Sequence, residues 1–325
     1  MNNYYYILFV LLFIIINIFY HKLVNNQNNI EMKKNIDYVN KYLINSDNLE
    51  NTKPLLWIYV ENSNNIIPSK NQRRWLNFGS RNTTDLNMPF QNLTINSIIE
   101  KCSNDFNIII VDDNSFSKII PDWNIDLNKV ANPIKYHLRN LALMNVLYYY
   151  GGILVPSSFI CFKSLHNIYV SSLCKSSIFS FEFVNRNVTS DNNNFIMQNN
   201  FIGCQQGSEI MKNYIQYLNQ INSNDFVAEQ DFLGTANVWL ERNNILKIDG
   251  TMIGTKNELG RPILIEDLLS DSFINIHDNA IGLYIPWYDI VNRIKFQWFS
   301  RLSEKQVLDS DTNIGKYILI NINVN

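Results

Sequence analysis

Several common scaffold classes are excluded by what this 325-residue chain lacks. Only 11 glycines and 8 prolines occur, too few for a collagen-like or Pro-rich protein. Four cysteines cannot make a disulfide framework, and Cys102, Cys161, Cys174 and Cys204 contain no C-x-x-C spacing, so neither a zinc site nor a redox motif is indicated. With 27 Lys+Arg against 29 Asp+Glu the formal charge is -2, which excludes binding to nucleic acid through bulk positive charge, and no nucleic-acid partner is expected. Residues 250–254 followed by Lys256 are no P-loop, because the Lys-Ser/Thr end and its spacing are missing. No serine-hydrolase elbow or Cys-His nucleophile pattern occurs either.

What is present is ample apolar material. A hydrophobic fraction of 46% with 13% aromatics supports a packed core in one large α/β domain or two small ones, and excludes disorder of the whole chain. Alanine is scarce and Asn, Ile and Tyr are abundant, the bias of an AT-rich coding sequence. Short Asn runs such as 192–194 read as loops. In so Asn-rich a chain the acceptor sequons at Asn82, Asn92 and Asn187 arise by chance and carry little weight for secretion.

Residues 4–20 (YYYILFVLLFIIINIFY) are uncharged with one polar residue, Asn17. As a helix at about 1.5 Å per residue they would extend roughly 26 Å, enough for a bilayer core with snorkelling flanks. Tyrosines at both ends, with His21 and Lys22 beyond, resemble interfacial anchors. The rivals are a cleavable signal peptide, which lacks a charged n-region and a small-residue cleavage site here, and a buried core helix. The expectation is a single-pass N-terminal transmembrane anchor over 1–24, in a host membrane or virion-associated. A polar stem over 25–53 and one α/β domain over 54–325 would follow. Lys22, Lys33 and Lys34 after the span favour a cytoplasmic domain by the positive-inside rule, whereas a type II anchor would place it in the lumen.

Within the domain, strand-like and helix-like signals alternate. Strands are expected at 55–60, 107–111, 153–155, 178–184 and 201–204, and helices at 94–102, 115–120, 133–150, 208–218 and 230–240. The last forty residues read as helical, with Trp287 and Trp298 packing onto the body. The order argues for a Rossmann-like α/β sheet with helices on both faces.

Ligands of open α/β sheets sit beyond the carboxyl ends of the strands. Asp112 and Asp113 follow the 107–111 strand directly, where they would hold a ribose, a base or a metal, or one of them would cap the next helix. In the following long helix, Asn132 is a candidate N-cap and Pro133 the first helical residue. Lys135 and Arg139 lie four apart on one face near its positive end, a placement that calls for an anion. A substrate diphosphate or the carboxylates of Asp122 and Asp126 would serve. Glycines at 151 and 152 stop the helix before the next extended run.

A helix ending in Tyr150-Gly151-Gly152-Ile153-Leu154-Val155 resembles the sugar-binding segment of GT-A-fold glycosyltransferases. The similarity is to the capsular-polysaccharide-synthesis type and to the group with an Asp-x-Asp sugar-binding region. It extends to WLNFGSRN at 75–82, to Ile110-Val111-Asp112-Asp113, to Ile119-Ile120-Pro121-Asp122-Trp123 and to Glu229-Gln230-Asp231-Phe232. The pattern, which covers roughly residues 55–300, is also similar to proteins of large DNA viruses. The resemblance implies a GT-A-like domain using a nucleotide-sugar donor and a glycan or protein acceptor. Where the family places Asp-x-Asp, which holds a divalent cation such as manganese, this chain reads Val155-Pro156-Ser157-Ser158. The family's Arg is Leu143 here and its Asp is Asn140, while Arg139 stands one turn from Leu143.

Two functional readings follow. In the first, the chain is a metal-independent transferase in which no cofactor is expected and Lys135, Arg139 or Lys163 neutralises the leaving diphosphate. Asp231 is then the candidate base or a hydrogen-bonding partner for the acceptor hydroxyl, and Asp112, Asp113, Lys135, Gly151, Gly152, Ser157 and Ser158 face the donor. Glu229 and Asp231 also suit an ordinary helix cap and first-turn acid. In the second, the fold persists as a catalytically inactive, membrane-anchored module with a structural or interaction role, and Ser157 and Ser158 are surface residues. His277 matches the late metal-binding histidine of some GT-A enzymes, but without Asp-x-Asp it reads as a structural histidine.

Overall fold

A computed structural model describes residues 43–44, 53–61, 88–185, 195–223 and 229–323. The expected anchor at 4–20, most of the stem and the 75–82 motif lie outside the described residues. No helix among the described residues is long and apolar enough to cross a membrane.

Among the described residues nine strands form two sheets: β1 (Leu43–Ile44), β2 (Leu55–Tyr59), β3 (Asn107–Val111), β4 (Gly152–Val155), β5 (Phe159–Cys161), β6 (Ile178–Val184), β7 (Phe195–Cys204), β8 (Leu246–Ile248) and β9 (Gly282–Tyr284). The 7-stranded sheet has the order β1-β3-β2-β4-β7-β6-β8, and β5 pairs with β9 in a small second sheet. β2 pairs parallel with β3 and β4, β8 pairs parallel with β6, and β7 runs antiparallel to both β4 and β6. Strands β2, β3, β4, β6 and β8 therefore point one way, against β1 and β7, and share one carboxyl edge.

The helices that flank the large sheet are α1 (Phe90–Cys102), α2 (Phe116–Ile119), α3 (Ile134–Tyr150), α4 (His166–Leu173), α5 (Glu209–Asn222) and α6 (Glu229–Arg242). Alternate side chains of each strand enter separate cores, as the period of 2 requires. Trp57, Ile109, Val111 and Leu154 pack with α2, α3, α5 and α6 on one face. Leu56, Ile58, Ile108, Ile110 and Ile153 pack with α1 on the other, where residues of α4 join them. Helices thus cover both faces, as expected. The C-terminal region supplies α7 (Ile265–Leu268), α8 (Trp287–Asn292), α9 (Gln297–Ser300), α10 (Glu304–Leu308) and α11 (Asn313–Asn323). These form a third core with Phe90 of α1 and Ile160 of β5.

Some local expectations are corrected. Helix α3 begins at Ile134, and Pro133 rather than Asn132 holds the N-cap position, without a side-chain cap. The 115–120 helix shrinks to four residues, and the 201–204 strand is the end of the longer β7. Trp287 is half-buried against the third core, but Trp298 is 43% exposed.

The two glycines after α3 have separate structural tasks. Gly151 follows the last helical residue with φ +68 and ψ -165, an extended positive-φ conformation open to glycine, and its carbonyl accepts from Trp57 Nε1 at 2.9 Å. Gly152 has φ +100, and a Cβ there would collide with the Leu55 carbonyl oxygen. The glycine pair lets the chain turn directly from a buried helix into a central strand.

Candidate functional site

Chain order places β3 on one side of β2 and β4 on the other, so the order reverses between β2 and β4. At such a reversal the connections diverge and leave a crevice beyond the carboxyl ends of the strands. Glu61 follows β2 here, Asp112 and Asp113 follow β3, and Pro156 and Ser157 follow β4. Helix α3 leads back into β4 from the opposite direction, which brings its first turns to the same edge.

Asp113 is the hub of this edge, its side chain only 5% exposed. Arg139 donates to it twice, Nε to Oδ1 at 2.9 Å and Nη2 to Oδ2 at 2.8 Å. Tyr59 Oη donates to Oδ1 at 2.7 Å, and Lys135 Nζ lies 3.2 Å from Oδ2. The Arg139 guanidinium also stands 4.9 Å from the Tyr59 ring centroid, and that ring stacks on Phe116. Arg139 Nη2 reaches Glu61 Oε1 at 3.2 Å, and the Glu61 side chain is 59% exposed. The anion that Lys135 and Arg139 call for is therefore Asp113, with Glu61 beside it, and not Asp122 or Asp126. Asp126 instead caps the turn at Leu127–Lys129 and pairs with Lys129 at 3.3 Å.

These contacts govern protonation. Burial acts to raise the Asp113 carboxyl, but hydrogen bonds from Arg139 and Tyr59 and the charge of Arg139 outweigh it and hold the group below its ordinary value. Burial acts to lower the Arg139 guanidinium, and the bonds from Asp113 overcome that and raise it further. Burial first, and then the Asp113 charge, raises the Tyr59 phenol well above its usual range, so Tyr59 stays protonated and donating. His137 is stacked on Phe232 with ring centroids 3.9 Å apart, and burial pushes its imidazole down to about 4.

Asp112 takes the capping role. Its carboxylate accepts from the backbone N–H of Asn114 at 3.1 Å and of Ser115 at 3.0 Å, and from Ser115 Oγ at 2.6 Å. Ser157 stands on the same edge, its carbonyl accepting from Thr94 Oγ1 at 2.5 Å. Ser158 is fully buried and donates to the Ile285 carbonyl at 2.8 Å, so it is no surface residue. Gly151 and Gly152 lie at the opposite end of β4, roughly 10 Å or more from the carboxyl edge at about 3.3 Å per residue. The structure thus does not bring the glycines together with Asp113, Lys135 and Arg139. Lys163 also stands apart, exposed after β5, its Nζ donating to the Asp278 carbonyl at 3.1 Å. His277 Nδ1 accepts from the Asn279 N–H at 3.1 Å, a local structural bond. Asp231 lies in the first turn of α6, next to Phe232, whose ring stacks on His137 between Lys135 and Arg139. That contact sets the start of α6 against the cationic turn of α3.

Tyr59 and Glu61 were not singled out in the sequence, although their position at the end of β2 marks them by the same rule that marked Asp113. A second ion cluster, also unanticipated, lies farther along the edge. Glu182 pairs with Lys256 at 2.5 Å and Lys247 at 3.7 Å, and Lys256 pairs with Asp249 at 3.0 Å. A cavity of about 460 Å³ opens beside the end of β6, lined by Asn185, Glu266, Tyr288, Asp289 and Arg293 among others.

The donors at the end of β4 do not suit a divalent cation, which takes hard, preferably anionic oxygen ligands. Ser158 Oγ and the Ser157 carbonyl are already engaged, and neither is charged. Asp112 is turned into its own loop and Asp113 into its cations. No group of three or more His, Cys, Asp or Glu among the described residues is arranged to hold a metal ion.

No protein-family model matches the chain, and no curated protein does. Among solved structures it is similar to one titled "PaToxG Glycosyltransferase", at 12% identity and a TM-score of 0.31. That match covers 67% of this chain and 77% of the other.

Proposed function

We propose that this protein is a GT-A-like glycosyltransferase that holds a nucleotide-sugar donor at the β2–β4 crevice without a divalent cation. The reading joins the YGG resemblance to one observation: two cations on a single helical turn stand at the strand-order reversal, fixed by a buried carboxylate. Asp113 positions Arg139 and Lys135, and neutralises only part of their charge. Glu61 screens the rest from an exposed position, where an ion pair is worth about 0–1 kcal/mol. An incoming diphosphate displaces Glu61 at little cost and meets both cations at the positive end of α3.

In transfer, an acceptor hydroxyl attacks the anomeric carbon, the bond to the nucleoside diphosphate breaks, and negative charge grows on the departing phosphate oxygens. Arg139 and Lys135 stabilise that charge, a contribution of about 2.7–4 kcal/mol for a single preorganised donor. Asp231 accepts the proton of the acceptor hydroxyl. The acceptor class is a glycan or protein hydroxyl. The kinship to capsular-polysaccharide-synthesis transferases and to proteins of large DNA viruses rests on the sequence motifs alone.

One observation favours a second reading. Arg139 and Lys135 both terminate on Asp113, so their charges are partly used within the protein, as an inactive module with a structural or interaction role would need. A thermal-shift screen of the full chain in detergent against uridine-, guanosine- and cytidine-diphosphate sugars separates the two. Stabilisation by a donor, together with a fall in transfer or donor hydrolysis of about a hundredfold in Arg139→Met, supports the transferase. No stabilisation by any donor, with Arg139→Met merely less stable, supports the module.

A further inference from the structure

A strip of surface near the same carboxyl edge has the chemistry of a membrane-contacting face. It comprises the turn at Ile294–Phe296 and helix α9. Ile294 is 87% exposed and Trp298 43% exposed. Lys295 and Arg301 beside them are exposed too. The 3-10 turn runs directly into the single turn of α9, and Ile294, Lys295, Trp298 and Arg301 are the exposed positions of 294–301. From residue 290 to 303 the sequence carries Arg293, Lys295 and Arg301 and no acid. Arg293 is paired with Glu266, which leaves Lys295 and Arg301 as the other cations of this stretch.

The neighbours Phe296 and Phe299 are buried and pin the strip to the third core, so Ile294 and Trp298 are held outward instead of collapsing inward. The Ser300 carbonyl accepts from the Met88 N–H at 3.0 Å, just ahead of α1. The first half of α1 lies at the carboxyl edge, because Thr94 bonds Ser157 there. The strip and the candidate donor crevice accordingly belong to the same end of the sheet.

We infer that Ile294, Lys295, Trp298 and Arg301 form a docking face for an anionic lipid surface, which turns the carboxyl edge of the domain toward the bilayer. An exposed branched aliphatic and a Trp enter the headgroup boundary while neighbouring cations meet lipid phosphates and carboxylates. If residues 4–20 anchor the chain as expected, tethering raises the local concentration of the domain at the bilayer, so a small face suffices. Acceptors for the edge are then groups presented at the membrane surface. The inference does not depend on donor binding, since its test reads depth at a single position.

A nitroxide placed by Ile294→Cys in the full chain reports that depth. Cys174, the one cysteine among the described residues that is exposed, is first changed to Ser. A matching label at exposed Asn104, in the turn between α1 and β3 at the opposite edge, serves as reference. The labelled chains are added to phosphatidylcholine vesicles with and without phosphatidylserine. On the anionic vesicles, relaxation of the 294 label by a water-soluble paramagnetic reagent should fall about tenfold relative to the 104 label. Lys295→Glu combined with Arg301→Glu, or Trp298→Ser alone, should return it toward the reference. Equal accessibility of the two labels on anionic vesicles overturns the inference. So does equal protection on neutral vesicles, which would assign the contact to residues 4–20 or to a second copy of the chain.

Discussion

The ends of β3 and β4 lie on either side of β2, yet they treat charge in opposite ways. Beyond β3, Asp113 gathers Tyr59, Lys135 and Arg139 into a buried network. Beyond β4, where the family resemblance places an acidic motif, the chain is uncharged, and Ser158 is used to fasten β4 to Ile285 at the end of β9. Around β2, charge is gathered between the end of β3 and the first turns of α3, and the end of β4 carries none. The cations at this edge belong to α3 and the β4 loop carries no carboxylate, and this contrast is the basis of the metal-independent proposal.

The contrast is broken most severely by Asp113→Ala, which strands the buried Arg139 without its main partner. A loss on the order of 3–5 kcal/mol is expected, read as a fall in unfolding midpoint by chemical denaturation. A loss below about 1 kcal/mol would mean that the network is only a surface ion pair.

Acid should act next, through the same turn of α3. An unfolded imidazole takes up a proton near about 6.5, whereas buried His137 resists protonation down to about 4. Stability is therefore complete above pH 6.5 and falls as pH drops toward 4, by up to about 3 kcal/mol. Replacing the imidazole by a ring that does not titrate, His137→Phe, should flatten that window in a pH series of denaturation curves. A second decline, below about pH 4, belongs to Asp113. Its stabilising contribution is present above the ordinary carboxylate value and is lost as pH falls through its lowered folded value.

Smaller effects refine the comparison. Tyr59→Phe removes one hydrogen bond to the charged carboxylate and should cost about 1.5–3 kcal/mol while raising the Asp113 carboxyl, which carbon-13 NMR titration can follow. Ser158→Ala should cost about 1 kcal/mol, because the Ile285 carbonyl keeps a bond from the Trp287 N–H at 2.8 Å. If Ser158→Ala abolished donor binding while leaving stability intact, the β4 end would have a ligand role that the proposal does not give it.

Much of the sheet was legible because its strands are short apolar runs bounded by polar turns. Strands 107–111 and 178–184 were placed to the residue, and α3 to within one. β7 was read too short, since Asn199 and Asn200 interrupt its apolar pattern although they lie within the strand. Asp113, Lys135 and Arg139 were each singled out in the sequence, but their mutual pairing was not visible there. Sequence proximity pointed to Asp122 and Asp126, whereas the true partner lies 26 positions from Arg139. Only the parallel order of β3, β2 and β4, which sets the end of β3 beside the start of α3, brings Asp113 to that turn. Gly151 and Gly152 illustrate the reverse case, residues whose backbone role was only partly legible. The same motif that suggested donor contact also meets the needs of a helix stop and of the close approach of β4 to β2.

The central claim is tested most directly by calorimetric titration of the full chain in detergent with nucleoside-diphosphate sugars, first with a chelator present and then with manganese. The account predicts binding of equal affinity under both conditions, weakened at least tenfold by Lys135→Met and more by Arg139→Met. Binding that appears only with manganese, or binding unchanged in Arg139→Met, would contradict it.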